Sequence, residues 1–464
     1  MRRGEVFVSL LIVLFGAAIF VGDRYLPAAG RTAPEDEGGR FLSTAWYCPL
    51  PGGEGVGSSV STTNLGDEPV KLRRWTAGEE KASSIQESDL PGRRRTAFAA
   101  ADFGIPNAAG VVEAFGARTL SDFTALGPRV GVGSTRCSVQ PFDVWMFGVA
   151  STLRRTDTHL LVANPFREEA RIKVRVITSS EDVSPSSLDG IVIPPLSQAR
   201  LFLGDYYRET EMFGLEVVAS AGRILVARSL QWATRDGVRG LSVDLGVGGP
   251  SENWQFAGGE VPTDGEETLS LVNPGESEAL VQVTFQTETE QLTQPALQEI
   301  PIPAGRQVVI KMSEHLPRGT RHGTTISSIN AVPVVAEVLS VGSLAGVKGM
   351  DAILGQLPVD SSRWIVPTGS PAGGSELLAI TNTSDQQATV SVILLTEQSE
   401  VRPPELSAIP VGGGRRATVD ITQYLAGGAA SALVESSTPG VFVARRLVLG
   451  DPYNDFADTS GRPF

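Results

Sequence analysis

Apolar and polar residues alternate along this chain in short runs, and the same runs come back four times. Leu160 and Val162, Leu269 and Leu271, and Leu378 and Ile380 each lead into an asparagine, with a weaker pair, Val60 and Thr62, in the first copy. Beyond the asparagine come Ala170, Ile172, Val174 and Val176, matched by Ala279, Val281, Val283 and Phe285, and by Ala388, Val390, Val392 and Leu394. A period of two is that of a half-buried strand, and two such runs across a turn predict a hairpin.

Fixed landmarks frame each hairpin. Trp46, Trp145, Trp254 and Trp364 precede Asn64, Asn164, Asn273 and Asn382 by 18 or 19 positions. The repeat is about 100 to 110 residues long, the length of a domain and too long for a solenoid unit. Asparagine suits the strand end because its short side chain bonds nearby backbone and tolerates turn geometry. Turn signals follow at Leu90-Pro91-Gly92, Ile193-Pro194-Pro195, Ile302-Pro303-Ala304-Gly305 and Ile409-Pro410-Val411-Gly412. Each copy closes on a strand that carries Arg118, Arg228, Glu337 or Arg445 after an alanine. About seven short strands per copy predict an all-β chain of four tandem immunoglobulin-like β-sandwich repeats. The alternative is a β-propeller with two blades per repeat.

Strict alternation puts Arg228 on the same face as Val226 and Leu230. A buried charge is costly unless paired, so Arg118, Arg228, Glu337 and Arg445 are candidate junction ion pairs. The connections 121–144, 231–253 and 340–363 are long for structureless loops, and each is expected to carry a strand or pack on its neighbour.

The N-terminus has a different pattern. After Arg2 and Arg3, residues 6–22 are uncharged and apolar, enough helix to cross a bilayer at the short end of the range. With no small-residue cleavage site, they read as an uncleaved signal anchor, the positive end inside and the bulk of the chain outside. The expected organisation is a cytoplasmic N-terminus at 1–5, a transmembrane anchor at 6–22 and a flexible Pro-, Gly- and acid-rich linker at 23–40. Then come repeats at 41–140, 141–250, 251–360 and 361–450, and a solvated acidic tail at 451–464.

The only cysteines, Cys48 and Cys137, bracket the first copy and predict a disulfide in an extracytoplasmic compartment. That copy also carries Arg73 and Trp75 where the others alternate. These two, with Trp232, are candidates for a surface that binds a glycan or a partner.

The pattern resembles a repeat of secreted and membrane-anchored actinobacterial proteins: Trp254-Gln255-Phe256-Ala257, Asn273-Pro274-Gly275 and Val335-Ala336-Glu337 carry it. With its N-terminal anchor and Cys48-Pro49, the chain over roughly residues 40–450 resembles the uncharacterised actinobacterial DUF5719 family. Copies one and four depart from the Asn-Pro-Gly turn, with Asn64-Leu65-Gly66 and Asn382-Thr383-Ser384. The resemblance brings no catalytic residue with it.

The residues offer no catalytic machinery either. The three histidines, His159, His315 and His322, have no His or Cys partner at metal-ligand spacing, and no nucleophile elbow, Walker loop or dinucleotide fingerprint is present. No cofactor and no metal are expected. A net charge of −13 argues against nucleic acid as a partner. The expected function is a non-enzymatic, membrane-anchored scaffold or partner-binding protein of the cell envelope. Two alternatives stand beside it: a glycan-binding or accessory protein for cell-wall polysaccharide assembly, and an enzyme with its site between repeats.

Overall fold

The computed structural model describes residues 43–464, apart from 53–54, 79–80, 104–107, 117, 235–236, 369–373 and 426–427. The expected anchor at 6–22, with its flanks at 1–5 and 23–40, lies outside the described residues. Among those described there is no α-helix, and no helix is long and apolar enough to cross a membrane.

Each copy folds into two antiparallel sheets packed face to face, and the third copy shows the plan. Its first sheet runs Asn253–Glu260, Arg321–Ser328, Ala279–Gln286 and Gln291–Thr293, with Ile300–Ile302 also paired to Ala279–Gln286. Its second runs Arg306–Lys311, Gly265–Asn273, Val335–Leu344 and Val347–Leu354. The opening Trp sits in the first sheet and the Asn in the second. The connections expected to carry a strand do so: Gly131–Arg136, Arg239–Leu245 and Val347–Leu354 each close a second sheet.

The alternation holds where one face is covered and fades where both are. Ala279–Gln286 buries every second residue until its last two, whereas Gly265–Asn273 is buried continuously from its third residue on. The second face of such a strand is covered by the preceding copy. Asn253–Glu260 lies against Val441–Leu449 and Ser375–Asn382 of copy four, and Val144–Ala150 against Val335–Leu344 and Gly265–Asn273 of copy three. Thr44–Pro49 meets Leu225–Ala233 of copy two, and Ala388–Thr396 of copy four meets Arg94–Ala99 of copy one. The first sheet of every copy thus packs on the second sheet of the next, and the fourth returns to the first. One compact ring spans residues 42–464 in place of a string of modules.

Four inner strands surround the ring's axis. Gly131–Arg136, Arg239–Leu245, Val347–Leu354 and Asp455–Ser460 touch one another in a cycle, so four of the eight sheets reach the axis. Residues 451–464, expected as a solvated acidic tail, supply the fourth of these strands together with Arg462–Pro463. They are structural because copy four needs an inner strand of its own, and Asp455, Phe456 and Ala457 are buried.

Cys48 and Cys137 form the disulfide. Cys137 occupies the place of Gly246, Gly355 and Gly461 in the other copies. There a Cβ would press on Phe147 at 2.9 Å, on Trp254 at 2.9 Å and on Val366 at 3.1 Å. In copy one the aromatic-over-glycine contact is replaced by a covalent bond.

The axis and the closing seam as candidate functional site

The four asparagines do more than end a strand. Each is fully buried, and its Nδ2 donates to a carbonyl four residues on and to another at the Pro turn about 30 residues away. For Asn273 these are Ser277 at 2.7 Å and Ile302 at 2.9 Å; for Asn164, Glu168 at 2.7 Å and Ile193 at 3.2 Å. Asn64 and Asn382 repeat the pattern. The tryptophans are core residues: Trp254 Nε1 donates to Val334 O, Trp145 to Ile224 O and Trp46 to Thr119 Oγ1, while Trp364 packs against Phe442.

Of the expected junction charges, the structure brings two together. Arg228 of copy two and Glu337 of copy three are ion-paired with both side chains 0% exposed. Glu337 Oε2 also accepts from Gly148 N at 2.7 Å and Val149 N at 2.9 Å. Burial pushes the Glu337 carboxyl up and the neighbouring guanidinium opposes this. Arg445 lies 3.6 Å from Glu376 of its own copy. Arg118 is exposed, ahead of the closing strand Thr119–Gly127. Counted from the asparagine along the ladders, the true counterpart of Glu337 in copy one is Asp122. Ser61 pairs with Asp122 and Ser270 with Glu337, three positions before Asn64 and Asn273.

The candidate surface residues lie at copy junctions. Trp75 is half-buried opposite Val111, which faces Tyr47 in turn, and Tyr47 rests on Phe166 of copy two with ring centroids 5.8 Å apart. Arg73 pairs with Glu87 at 2.8 Å and lies over the Phe115 ring. Trp232 is half-buried beside Leu230, Leu339 and Met350.

The sequence reading missed the axis. Inner-strand positions Gly131, Gly240, Gly349 and Asp455 coincide in the four copies. A Cβ on Gly131 would meet Leu241 N at 2.7 Å, and one on Gly240 would meet Met350 N at 2.7 Å, so three copies have no room for a side chain. The fourth carries Asp455. Its Oδ2 accepts from Val132 N and Leu241 N, both at 2.9 Å, and its Oδ1 from Met350 N at 2.8 Å. One carboxylate thus satisfies backbone donors of all three other copies. Burial pushes this carboxyl well above the ordinary range, against the pull of the backbone donors.

A second recurrent feature binds each copy to the one before it. The residue paired with the position before each asparagine is Arg95, Gln198, Gln307 or Arg416. Each donates to a carbonyl of the preceding copy: Arg95 to Ala430 at 2.7 Å, Gln198 to Leu50 at 2.9 Å, Gln307 to Gly148 at 3.0 Å and Arg416 to Gly259 at 3.2 Å. A polar residue just past every Pro or Gly turn was the available signal.

At the seam where copy four meets copy one, the sheets leave a groove of about 660 Å³, well within the size range of ligand sites. Ser59, Ser61, Thr124 and Ser399 line it with Glu397 and Tyr424, while Phe98 and Arg95 lie nearly buried at its floor. Arg95 Nη2 donates to Ser61 Oγ at 2.6 Å and lies 3.5 Å from Asp122 Oδ1. Burial lowers the Arg95 pKa and raises that of Asp122, with each opposing the shift in the other. Thr63 and Ser431 share a hydrogen bond of 2.7 Å across the seam, and Arg93 pairs with Glu400 at 2.9 Å.

No group of three or more His, Cys, Asp or Glu among the described residues is set to hold a metal ion. One arrangement has the order of a nucleophile relay: Thr324 Oγ1 lies 2.9 Å from His322 Nδ1, and His322 Nε2 lies 2.7 Å from Glu267. All three are about 1% exposed, and Phe285 and Gly259 cover the ring, so the hydroxyl has no approach for a substrate. Its role is packing.

No curated protein matches this chain. Among solved structures it is similar to Thermotoga maritima 1070, at 18% identity over 23% of this chain and 94% of that one, with a TM-score of 0.21. It is similar to the Anabaena sensory rhodopsin transducer at 23% identity over 19% and 94%, with a TM-score of 0.17. It is also similar to a Streptomyces avermitilis α-L-rhamnosidase at 11% identity over 71% and 38%, with a TM-score of 0.14. Scores this low carry no argument about fold or activity. The model of a family of unknown function matches residues 106–245 and 226–461. This chain belongs to the DUF5719 family.

Proposed function

We propose that this chain is a non-enzymatic, membrane-anchored binding protein of the cell envelope, in which four sandwich-like copies form a closed ring and the seam groove takes a segment of glycan. The observation that carries the reading is the groove itself. Its serines and threonines and the Tyr424 ring offer a sugar chain hydrogen bonding and stacking. The Cys48–Cys137 disulfide suits an oxidising compartment, and the apolar run at 6–22 suits an anchor. A second reading, a scaffold for an envelope protein, is favoured by the rigidity of a ring tied across its axis, because a preformed surface loses little entropy on binding.

The test is a pull-down with the full chain from solubilised envelope, scored for carbohydrate and protein. The glycan reading expects carbohydrate to be retained, and at least tenfold less with Tyr424→Ala. Recovery of a defined protein without carbohydrate transfers the assignment to the scaffold reading. Recovery of neither sinks both.

A further inference from the structure

Arg95 and Arg416 occupy the same place in copies one and four, but only one of them has a carboxylate. The counterpart of Asp122, which lies 3.5 Å from Arg95, is Ala444 in copy four: Ser61 pairs with Asp122 and Ala379 with Ala444, each three positions before the asparagine. Copies two and three avoid the question with the neutral Gln198 and Gln307. In copy four the arginine is kept and the acid is deleted.

Beside Ala444 lies a cavity of about 20 Å³ whose lining holds four arginines, Arg321, Arg416, Arg445 and Arg446, and two acids, Glu260 and Asp458, large enough for one small ion. Arg416 is 5% exposed, and its Nε has no hydrogen-bond partner; Nε and Nη2 of Arg445, 2% exposed, likewise have none. The surrounding charges are unevenly paired. Glu260 is shared by Arg321 at 3.2 Å and Arg446 at 3.0 Å, and Asp458 pairs with Arg446 at 2.8 Å. Arg445 has Glu376, and Glu288 on the rim accepts from Thr418. Of these guanidiniums Arg416 has no carboxylate at ion-pair distance, Glu288 and Glu260 acting on it only from farther off. An uncompensated buried charge is costly, and neither Arg416 nor Arg445 can shed a proton cheaply.

We infer that this cavity is a binding site for one small monovalent anion of about chloride size, which stands where the Asp122 carboxylate stands in copy one and ties copies three and four together. The anion accepts from the N–H groups of Arg416 and Arg445 that have no hydrogen-bond partner. The site is independent of the seam groove and of the reading given to it.

The test uses the full chain in two measurements. Crystals soaked in sodium bromide are expected to show an anomalous peak beside Arg416 Nε. In equilibrium unfolding at constant ionic strength, replacing gluconate with chloride is expected to raise the folding constant by up to tenfold per tenfold of chloride above the dissociation constant. Arg416→Gln, the residue type copies two and three carry, is expected to abolish both the peak and the chloride dependence. Ala444→Asp rebuilds the copy-one pair and should remove the chloride dependence as well. If that variant fails to fold, Arg416→Gln and the bromide peak decide. Absence of the peak, or chloride dependence unchanged in Arg416→Gln, overturns the inference.

Discussion

Copies two and three are joined by an ion pair with both side chains fully buried, whereas copies four and one, which meet through the same two sheet faces, are joined mainly by neutral groups. In the first case Arg228 reaches across the junction to Glu337, and two backbone N–H groups of copy two complete the carboxylate. In the second the ion pair, Arg95 with Asp122, stays inside copy one, and the crossing bonds come from hydroxyls, a carbonyl and the half-buried Arg93–Glu400 pair. Neighbours in sequence can rely on a fully buried charge pair, because chain connectivity already holds the partners close. The seam joins segments more than 300 residues apart.

That contrast can be broken from its stronger side first. Glu337→Ala leaves Arg228 buried without a partner and is expected to cost about 3 to 5 kcal/mol in denaturant unfolding, whereas Arg228→Met with Glu337→Gln, which keeps an oxygen for Gly148 N and Val149 N, should recover part of it. A loss below about 1 kcal/mol for the single variant would show that water reaches the pair. Next comes the axis, which serves both junctions. Asp455→Ala removes the acceptor of three buried N–H groups, with an expected loss of about 3 kcal/mol or more. Faster amide exchange at Val132, Leu241 and Met350 should accompany it; unchanged exchange there would mean that other acceptors take over.

The seam should respond more weakly. Thr63→Val deletes one hydroxyl bond to Ser431 and is expected to cost about 1 kcal/mol. A cost as large as that of Glu337→Ala would erase the distinction between the two interfaces. The smallest effect belongs to the junction of copies one and two, where burial first, and Arg200 second, push the His159 pKa down to about 4. The unfolded chain takes up this proton first, so the contribution of His159 is complete above about pH 6.5 and is lost as the pH falls towards 4. An NMR titration of the ring should show a midpoint near 4, and His159→Gln should flatten the stability profile in that window. A midpoint near 6.5 would place the ring in solvent.

The local plan was legible in the sequence because it is local. The Trp and Asn landmarks, the hairpin alternation, the disulfide and the strands hidden in the long connections all follow from spacing and turn chemistry. The ring was not legible, since its evidence is the meeting of Arg94–Ala99 with Ala388–Thr396, about 300 residues apart. The same limit explains Arg118. An alanine-arginine pair near the end of copy one mimics Ala227-Arg228, but the ladder register puts Phe123 at the position of Arg228 and Asp122 at that of Ala227. The acidic stretch from Asp451 to Asp458 reads as a solvated tail because three carboxylates in eight residues usually are solvent-exposed. Nothing local in Asp455 announces that three backbone donors from other copies converge on it.

The axis layer also fixes arithmetic for the family's history. An open solenoid can gain a unit by duplication and remain folded, since each unit meets only its neighbours. Here three glycines and one aspartate close around a single carboxylate, and a fifth inner strand has no place to stand. Such a chain evolves by letting its four positions drift apart in character while their number stays constant.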